Sequence, residues 1–192
     1  MNIERALPIP GWMNPPELEY LAYRASVSLT YAEIGSWRGK SARAVADNLV
    51  DGGVLFCIDT WADHAHGIPD WWTAVDPPDL WSRPDWLYRE FMKNISDSLG
   101  TKIFALRMDS VSAARALEGV KMFNTIFIDA GHTYEEVKAD ILAWKPLLNP
   151  NGVMCGHDFH EVHHPGVVLA VRELVPEFRV VEDTTVWTTE PE

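Results

Sequence analysis

TIFIDAGHTYEEVKADILAWKPLLNPNGVMC, residues 125–155, holds one full period of an alternating fold. Thr125 to Ile128 is a short apolar, β-branched run, the composition of a strand buried on both faces. Thr133 and Glu136 follow in capping-box register, and Val137, Ile141, Trp144 and Leu148 recur at helical spacing on one face. Pro150, Asn151 and Gly152 are expected to end that helix, and Val153 to Cys155 to form the next strand. Strand, helix and strand in so short a stretch make a βαβ unit with parallel strands.

The same pattern repeats on either side. Upstream, a helix within residues 10–27 opens at Pro15-Pro16 and turns Leu18, Leu21, Ala22 and Ala25 to one face. A strand is expected at Thr30 to Ile34, then a helix from about Gly39 with Ala42, Val45, Ala46 and Leu49 inward, stopped by Gly52-Gly53. Val54 to Ile58 and Ile103 to Leu106 read as strands, the second followed by a helix with Ser110 as its N-cap and Val111, Ala114 and Leu117 on its inner face. Downstream, His164-Pro165 opens a helix with Val167, Val171 and Leu174 inward, and Phe178 to Thr188 alternates like a hairpin around Glu182 and Asp183. Apolar strands alternating with amphipathic helices predict one α/β domain over residues 1–192, with a doubly wound, Rossmann-like sheet.

Residues 60–86 interrupt the pattern. Five of the nine tryptophans and four prolines fall between Trp61 and Trp86, too long a stretch for an ordinary strand-to-helix loop. A substrate lid and a subunit contact are both open readings; helical period resumes at Leu87, Phe91, Ile95 and Leu99.

Composition narrows the partners. The chain is 47% hydrophobic and 23% charged, a soluble globular profile, and its net charge of -12 repels nucleic acid and anionic membrane surfaces. No run has the length of a signal peptide core or a membrane span, so a cytoplasmic location is expected. Cys57 and Cys155 fall on strands that two others should separate, about 14 Å apart at the usual strand spacing. They are expected to be buried small hydrophobes, not a disulfide.

In doubly wound sheets the ligand lies beyond the carboxyl ends of the strands. The first strand ends in Glu33-Ile34-Gly35-Ser36-Trp37-Arg38-Gly39-Lys40-Ser41, where glycines let a ligand approach the backbone. Asp59 ends the second strand, in position to accept hydrogen bonds from both hydroxyls of a ribose, and Asp109-Ser110 ends the third, where an adenine edge would lie. The loop spacing is GxxxG, not the GxGxxG of dinucleotide sites, and the Glu33 carboxylate disfavours a pyrophosphate. A nucleoside cofactor with its own positive charge suits this site better, and S-adenosylmethionine has that chemistry.

Glu33-x-Gly35-x-x-x-Gly39-x-Ser41, Asp59-Thr60-Trp61 and the run IDAGHTYEEVKADILAWKPLLNPNGVMCGHDF, residues 128–159, resemble the class I S-adenosylmethionine-dependent methyltransferases. Within that class they are similar to the small-molecule O-methyltransferase group with the macrolide-sugar O-methyltransferases and the cephalosporin-biosynthesis methyltransferase/hydroxylase family. Catechol O-methyltransferases are more distant relatives. The resemblance spans about residues 10 to 175. It implies a seven-stranded sheet with a reversed last strand, which the terminal hairpin can supply. Cofactor contacts are implied at Glu33, Gly35, Ser36, Trp37, Gly39, Ser41, Asp59, Trp61, Asp109 and Ser110.

In the sheet order of that class the fourth and fifth strands are neighbours, which brings Asp129 and His157-Asp158 together, and converging carboxylates invite a cation. The resemblance implies a divalent metal at Asp129, His157 and Asp158, with Mg²⁺ first and Mn²⁺ next, and makes His132 the general base beside Asp129. It also implies a homo-oligomer. His157 stands where the family has an acid or amide, and an imidazole tilts preference toward Mn²⁺, Fe²⁺ or Zn²⁺. His160, His163 and His164 carry no assigned chemistry and are expected in a solvated loop or at a pocket rim. The leading expectation is a metal-assisted O-methyltransferase acting on a sugar, diol or natural-product hydroxyl, with Trp12, Trp71, Trp72 and Trp81 as an aromatic wall. A nicotinamide-dependent dehydrogenase, a His/Asp metal hydrolase and a catalytically silent nucleoside-binding protein stay open as alternatives.

Overall fold

The computed structural model describes residues 1–62, 83, 85–119 and 123–191. The chain runs α1 (Pro15–Ala25), β1 (Thr30–Ile34), α2 (Lys40–Ala46), β2 (Val54–Asp59), α3 (Trp86–Ile95), β3 (Ile103–Arg107), α4 (Ser110–Ala116), β4 (Phe123–Ile128), α5 (Tyr134–Trp144), β5 (Leu148–Gly156), α6 (Pro165–Leu174), β6 (Arg179–Val180) and β7 (Trp187–Thr188). The strands form one seven-stranded sheet in the order β3-β2-β1-β4-β5-β7-β6. β1 to β5 pair in parallel, and β7 runs antiparallel to both β5 and β6. This is the class I methyltransferase fold, and the terminal hairpin supplies its reversed strand.

Alternation along the strands sorts the core into two layers. Tyr31, Leu55, Cys57 and Phe127 face α1, α2 and α3, packing with Leu18, Leu21, Val45, Phe91 and Ile95. Ala32, Ile34, Ile126 and Ile128 face α4, α5 and α6, packing with Ala113, Ile141, Trp144 and Val171. The sheet order turns back at β1, which has β2 on one side and β4 on the other. Such a switch point leaves a crevice beyond the carboxyl ends of the two strands.

Local signals explain most element boundaries. Asn14 with Glu17 and Thr133 with Glu136 form complete capping boxes at the starts of α1 and α5. Helix α5 ends at Trp144 rather than running on to Leu148. Pro146 lacks an amide hydrogen and clashes with a continuing helix, so one 3₁₀ turn at Lys145–Leu147 follows instead. Pro150, Asn151 and Gly152 therefore lie inside β5, whose pairing with β4 shifts register between Phe123 and Thr125. Helix α2 stops at Ala46, short of Leu49, which is nonetheless buried. The N-cap of α4 is Asp109, not Ser110: the Asp109 carboxylate accepts the Ser112 amide at 2.9 Å.

Cys57 and Cys155 are buried free thiols with β1 and β4 between their strands. Among the described residues no helix is long and apolar enough to cross a membrane. Most of the Trp-rich stretch at 60–86, including Trp71, Trp72 and Trp81, lies outside the described residues.

Candidate active site

A cavity of about 590 Å³ opens beyond the carboxyl ends of the central strands, a volume typical of small-molecule sites. Its wall takes Gly35, Ser36 and Trp37 from the loop after β1, Ser41 from the start of α2, Asp59 and Thr60 from the end of β2, and Met108 and Ser110 after β3. Asp129 and His132 after β4, and His157 and Asp158 after β5, complete it.

Gly35 makes this convergence possible. Its φ is +89°, and a Cβ at that position would fall 2.0 Å from the Asp129 carbonyl oxygen. Only glycine lets the end of β1 lie directly against the end of β4. Asp59 braces the neighbouring loops: Oδ2 accepts the Trp37 amide at 2.8 Å and Oδ1 accepts the Trp61 amide at 2.7 Å.

Four of the expected cofactor residues are absent from the wall. Glu33 is fully buried behind it, where Oε2 accepts the Ser36 hydroxyl at 2.6 Å and burial pushes its pKa up to about 7. Trp61 is fully buried against Phe91 and Tyr88, and its indole N–H donates to the Trp37 carbonyl at 2.8 Å. A large apolar ring gains more from the α3 interface than from a wet wall. Gly39 turns the chain into α2 with φ +83° and packs on Phe91 and Ile95, and Asp109 spends its carboxylate on the α4 cap. Ser110 does reach the wall, with its hydroxyl accepting the Trp144 indole N–H at 2.8 Å. Trp12 lines the cavity and packs on Trp37 with ring centroids 4.4 Å apart and the rings tilted by 31°; the other members of the expected aromatic wall lie outside the described residues.

The acidic end of the cavity is closely built. Donor atoms of Asp129, His157 and Asp158 lie within 4.8 Å of one another. His157 Nδ1 is 3.3 Å from Asp158 Oδ1 and 3.6 Å from Asp129 Oδ1. Its Nε2 is 3.1 Å from Glu17 Oε1, close but without hydrogen-bond alignment. Burial would lower the His157 pKa, but the surrounding carboxylates, Asp129 foremost, override it and push it up to about 12. Burial raises Asp129, with His157 opposing. For Asp158 burial is outweighed by His132 and His157, which hold its pKa well below the carboxylate range. Asp158 has φ +61°, an uncommon conformation for a residue with a side chain, here aiming its carboxylate at both histidines. His132 Nε2 lies 2.6 Å from Asp158 Oδ2, and that hydrogen bond raises the imidazole pKa.

Two carboxylates and one imidazole fit a divalent ion. The His157 proton offsets the charge of its acidic neighbours, and a cation binding there takes over that function as the proton leaves.

Two residues of the cluster escape a reading of the sequence. Glu17 belongs by pattern to the α1 cap, and nothing in its surroundings signals a histidine partner. His164 reaches Asp158 Oδ1 with Nε2 at 3.5 Å, so it is more than a rim residue. The only signal was its place immediately before Pro165, at a helix start that faces the strand ends. His160 fits the loop expectation, because its Nδ1 accepts the Val162 and His163 amides.

The methyltransferase domain family matches residues 32–159, the span from β1 to just past β5 that carries most of the cavity wall. The chain belongs to that family. Solved structures of methyltransferases share its architecture. A putative O-methyltransferase from Klebsiella pneumoniae is 17% identical with a TM-score of 0.65, covering 97% of this chain and 84% of that one. The O-methyltransferase from Bacillus cereus, in complex with SAH, is 15% identical with a TM-score of 0.64, over 97% of this chain and 89% of its own. TomG from Streptomyces achromogenes, an O-methyltransferase involved in tomaymycin synthesis and seen with SAM, is 14% identical with a TM-score of 0.64, over 97% and 84%. At such identities the likeness is one of fold. No curated protein matches this methyltransferase domain in sequence.

Proposed function

We propose that this methyltransferase domain transfers a methyl group from S-adenosylmethionine to a hydroxyl of a small-molecule acceptor, with a divalent cation held by Asp129, His157 and Asp158. The observation that carries the reading is the sharing of one cavity wall by Gly35, Ser36 and Asp59 with Asp129, His132, His157 and Asp158. The cofactor supplies an electrophilic methyl group on a sulfonium, and the cation lowers the pKa of a nearby hydroxyl.

The residues divide the work by position. Asp59, at the end of β2 on the cavity wall, accepts the ribose hydroxyls, and Gly35 brings the backbone at the end of β1 to the same wall. Met108 and Ser110 border the place for the base. His132 is the general base, accepting the hydroxyl proton at Nε2 once Asp158 Oδ2, now 2.6 Å away, turns to another partner. Displacement at a sulfonium needs no acid for the leaving group, so alignment dominates. Alignment accounts for about 7–11 kcal/mol of such a barrier, and base assistance for about 10²- to 10⁴-fold in rate. The net charge of -12 favours a small acceptor over nucleic acid.

Calorimetric titration with S-adenosylhomocysteine tests the cofactor half, and titration of Mg²⁺ or Mn²⁺ into the resulting complex tests the metal half. Both are expected to bind, with the metal signal lost in Asp129→Asn. No binding of S-adenosylhomocysteine overturns the methyl-transfer reading. Cofactor binding without divalent-ion binding overturns the metal half and leaves a metal-independent transferase.

A further inference from the structure

We infer that His132, Asp158 and His164 form a second cation site, suited to a borderline transition-metal ion such as Zn²⁺ or Co²⁺, which overlaps the Asp129, His157 and Asp158 trio through the shared Asp158. The two imidazoles address different oxygens of one carboxylate. His132 Nε2 is 2.6 Å from Oδ2, and His164 Nε2 is 3.5 Å from Oδ1. The three donor atoms lie within 4.8 Å of one another, and the imidazole ring centroids are 4.7 Å apart. A tetrahedral ion with bonds of about 2.0–2.1 Å wants its donors about 3.3 Å apart, so small side-chain rotations suffice.

The backbone builds this spacing. The His160 amide donates to the Asp158 carbonyl at 2.7 Å, and the His164 amide donates to the His160 carbonyl at 2.9 Å, which closes the turn between the two ligands. The start of α6 is pressed against the loop that carries His132: a Cβ on Gly166 would fall 2.6 Å from the His132 carbonyl oxygen. Glycine at that contact brings His164 to His132 from across the fold. All three side chains border the cavity and are partly exposed, so an ion has a path in and keeps open positions.

Donor chemistry separates the two sites. Two imidazoles and one carboxylate select borderline ions over Mg²⁺, whereas the other trio offers two carboxylates and one imidazole. An ion in the second site uses the His132 lone pair and draws on Asp158. Under the methyl-transfer reading, on which this consequence rests, Zn²⁺ bound there inhibits the enzyme by occupying its base. The site itself follows from the three side chains alone.

Co²⁺ titration of the metal-free protein at about pH 8, where imidazoles are available as ligands, tests the inference through visible absorption. A saturable band is expected in the wild type and in Asp129→Asn, and its loss in His164→Asn and His132→Gln. Asn is a favoured N-cap, so His164→Asn preserves the start of α6, and a thermal melt checks that both variants fold. No band in the wild type, a band surviving both histidine variants, or one lost in Asp129→Asn but kept in His164→Asn overturns the second site. Parallel titration with S-adenosylhomocysteine separates the two readings. Its binding without a cobalt band removes only the second site, and a cobalt band without its binding removes only the methyl-transfer reading.

Discussion

Nε2 of His157 lies 3.1 Å from Oε1 of Glu17, with both residues buried where α1 meets the end of β5. The same Glu17 oxygen accepts the Thr185 amide at 3.1 Å and the Thr185 hydroxyl at 3.0 Å, while Oε2 accepts the Asn14 amide at 2.9 Å. One carboxylate thus ties the first helix and the terminal hairpin to the candidate metal-binding histidine. Holding Nε2 toward Glu17 turns Nδ1 toward Asp129 and Asp158, the arrangement by which an outer carboxylate orients a ligating imidazole.

Replacing Glu17 should therefore cost more than a helix cap. Glu17→Ala removes one of the three carboxylates around the buried His157 and leaves the Asn14 and Thr185 amides without their acceptor, and is expected to lower the unfolding free energy by about 2–3 kcal/mol in urea titrations. Glu17→Gln keeps one acceptor oxygen, for Thr185 or for Asn14 but not for both, and should lose less stability than Glu17→Ala while weakening divalent-ion binding about tenfold. S-adenosylhomocysteine affinity should stay close to wild type in Glu17→Gln.

Gly35→Ala should fail where other small substitutions succeed. The added methyl would collide with the Asp129 carbonyl, which belongs to a packed strand end and has nowhere to go. A loss above about 4 kcal/mol, read as a collapsed melting temperature or insoluble protein, is expected. Gly52→Ala is the control: nothing lies within 4 Å of its Cβ, so it should pay only for its positive φ.

Asp59→Asn tests the brace between the loops after β1 and β2. An amide side chain has one acceptor oxygen, so the Trp37 or Trp61 amide loses its partner. S-adenosylhomocysteine binding is expected to weaken by about tenfold or more, the cost of one lost charge-assisted hydrogen bond. Unchanged affinity would show that the brace and the ligand are independent.

Glu33 should leave a signature in the pH dependence of stability. Its pKa is raised by burial from 4.5 to about 7, so the folded protein keeps a proton that the unfolded chain has already released. Folded stability therefore falls as pH rises from 4.5 to about 7 and is level above that. A shift of that size corresponds to about 3 kcal/mol. Glu33→Gln should remove this slope, and urea titrations of both proteins across the window measure the difference. Parallel slopes would place the Glu33 pKa near its ordinary value.

Several of these positions were legible in the sequence. Thr133 and Glu136 announced the start of α5 because a capping box uses only neighbouring residues. Asp129 and His157-Asp158 stood out because each follows an apolar run that only a strand end explains. The error at Leu148 came from following hydrophobic spacing past Pro146, where backbone chemistry overrides periodicity. The resemblance implies cofactor contacts at Glu33 and Trp61, and the structure buries both behind the wall, Glu33 against Ser36 and Trp61 against Phe91 of α3.

The alternation of strands and helices, their caps and the carboxylates at the strand ends follow from the chain alone, because they depend on contacts within a few residues. The pairing of Glu17 with His157, the approach of His164 to His132 and the closeness of Gly35 to Asp129 exist only once the sheet order is set. Each joins segments that touch because β1, β4 and β5 lie side by side and α1 and α6 close over their ends, and local residue preferences carry no information about that distance.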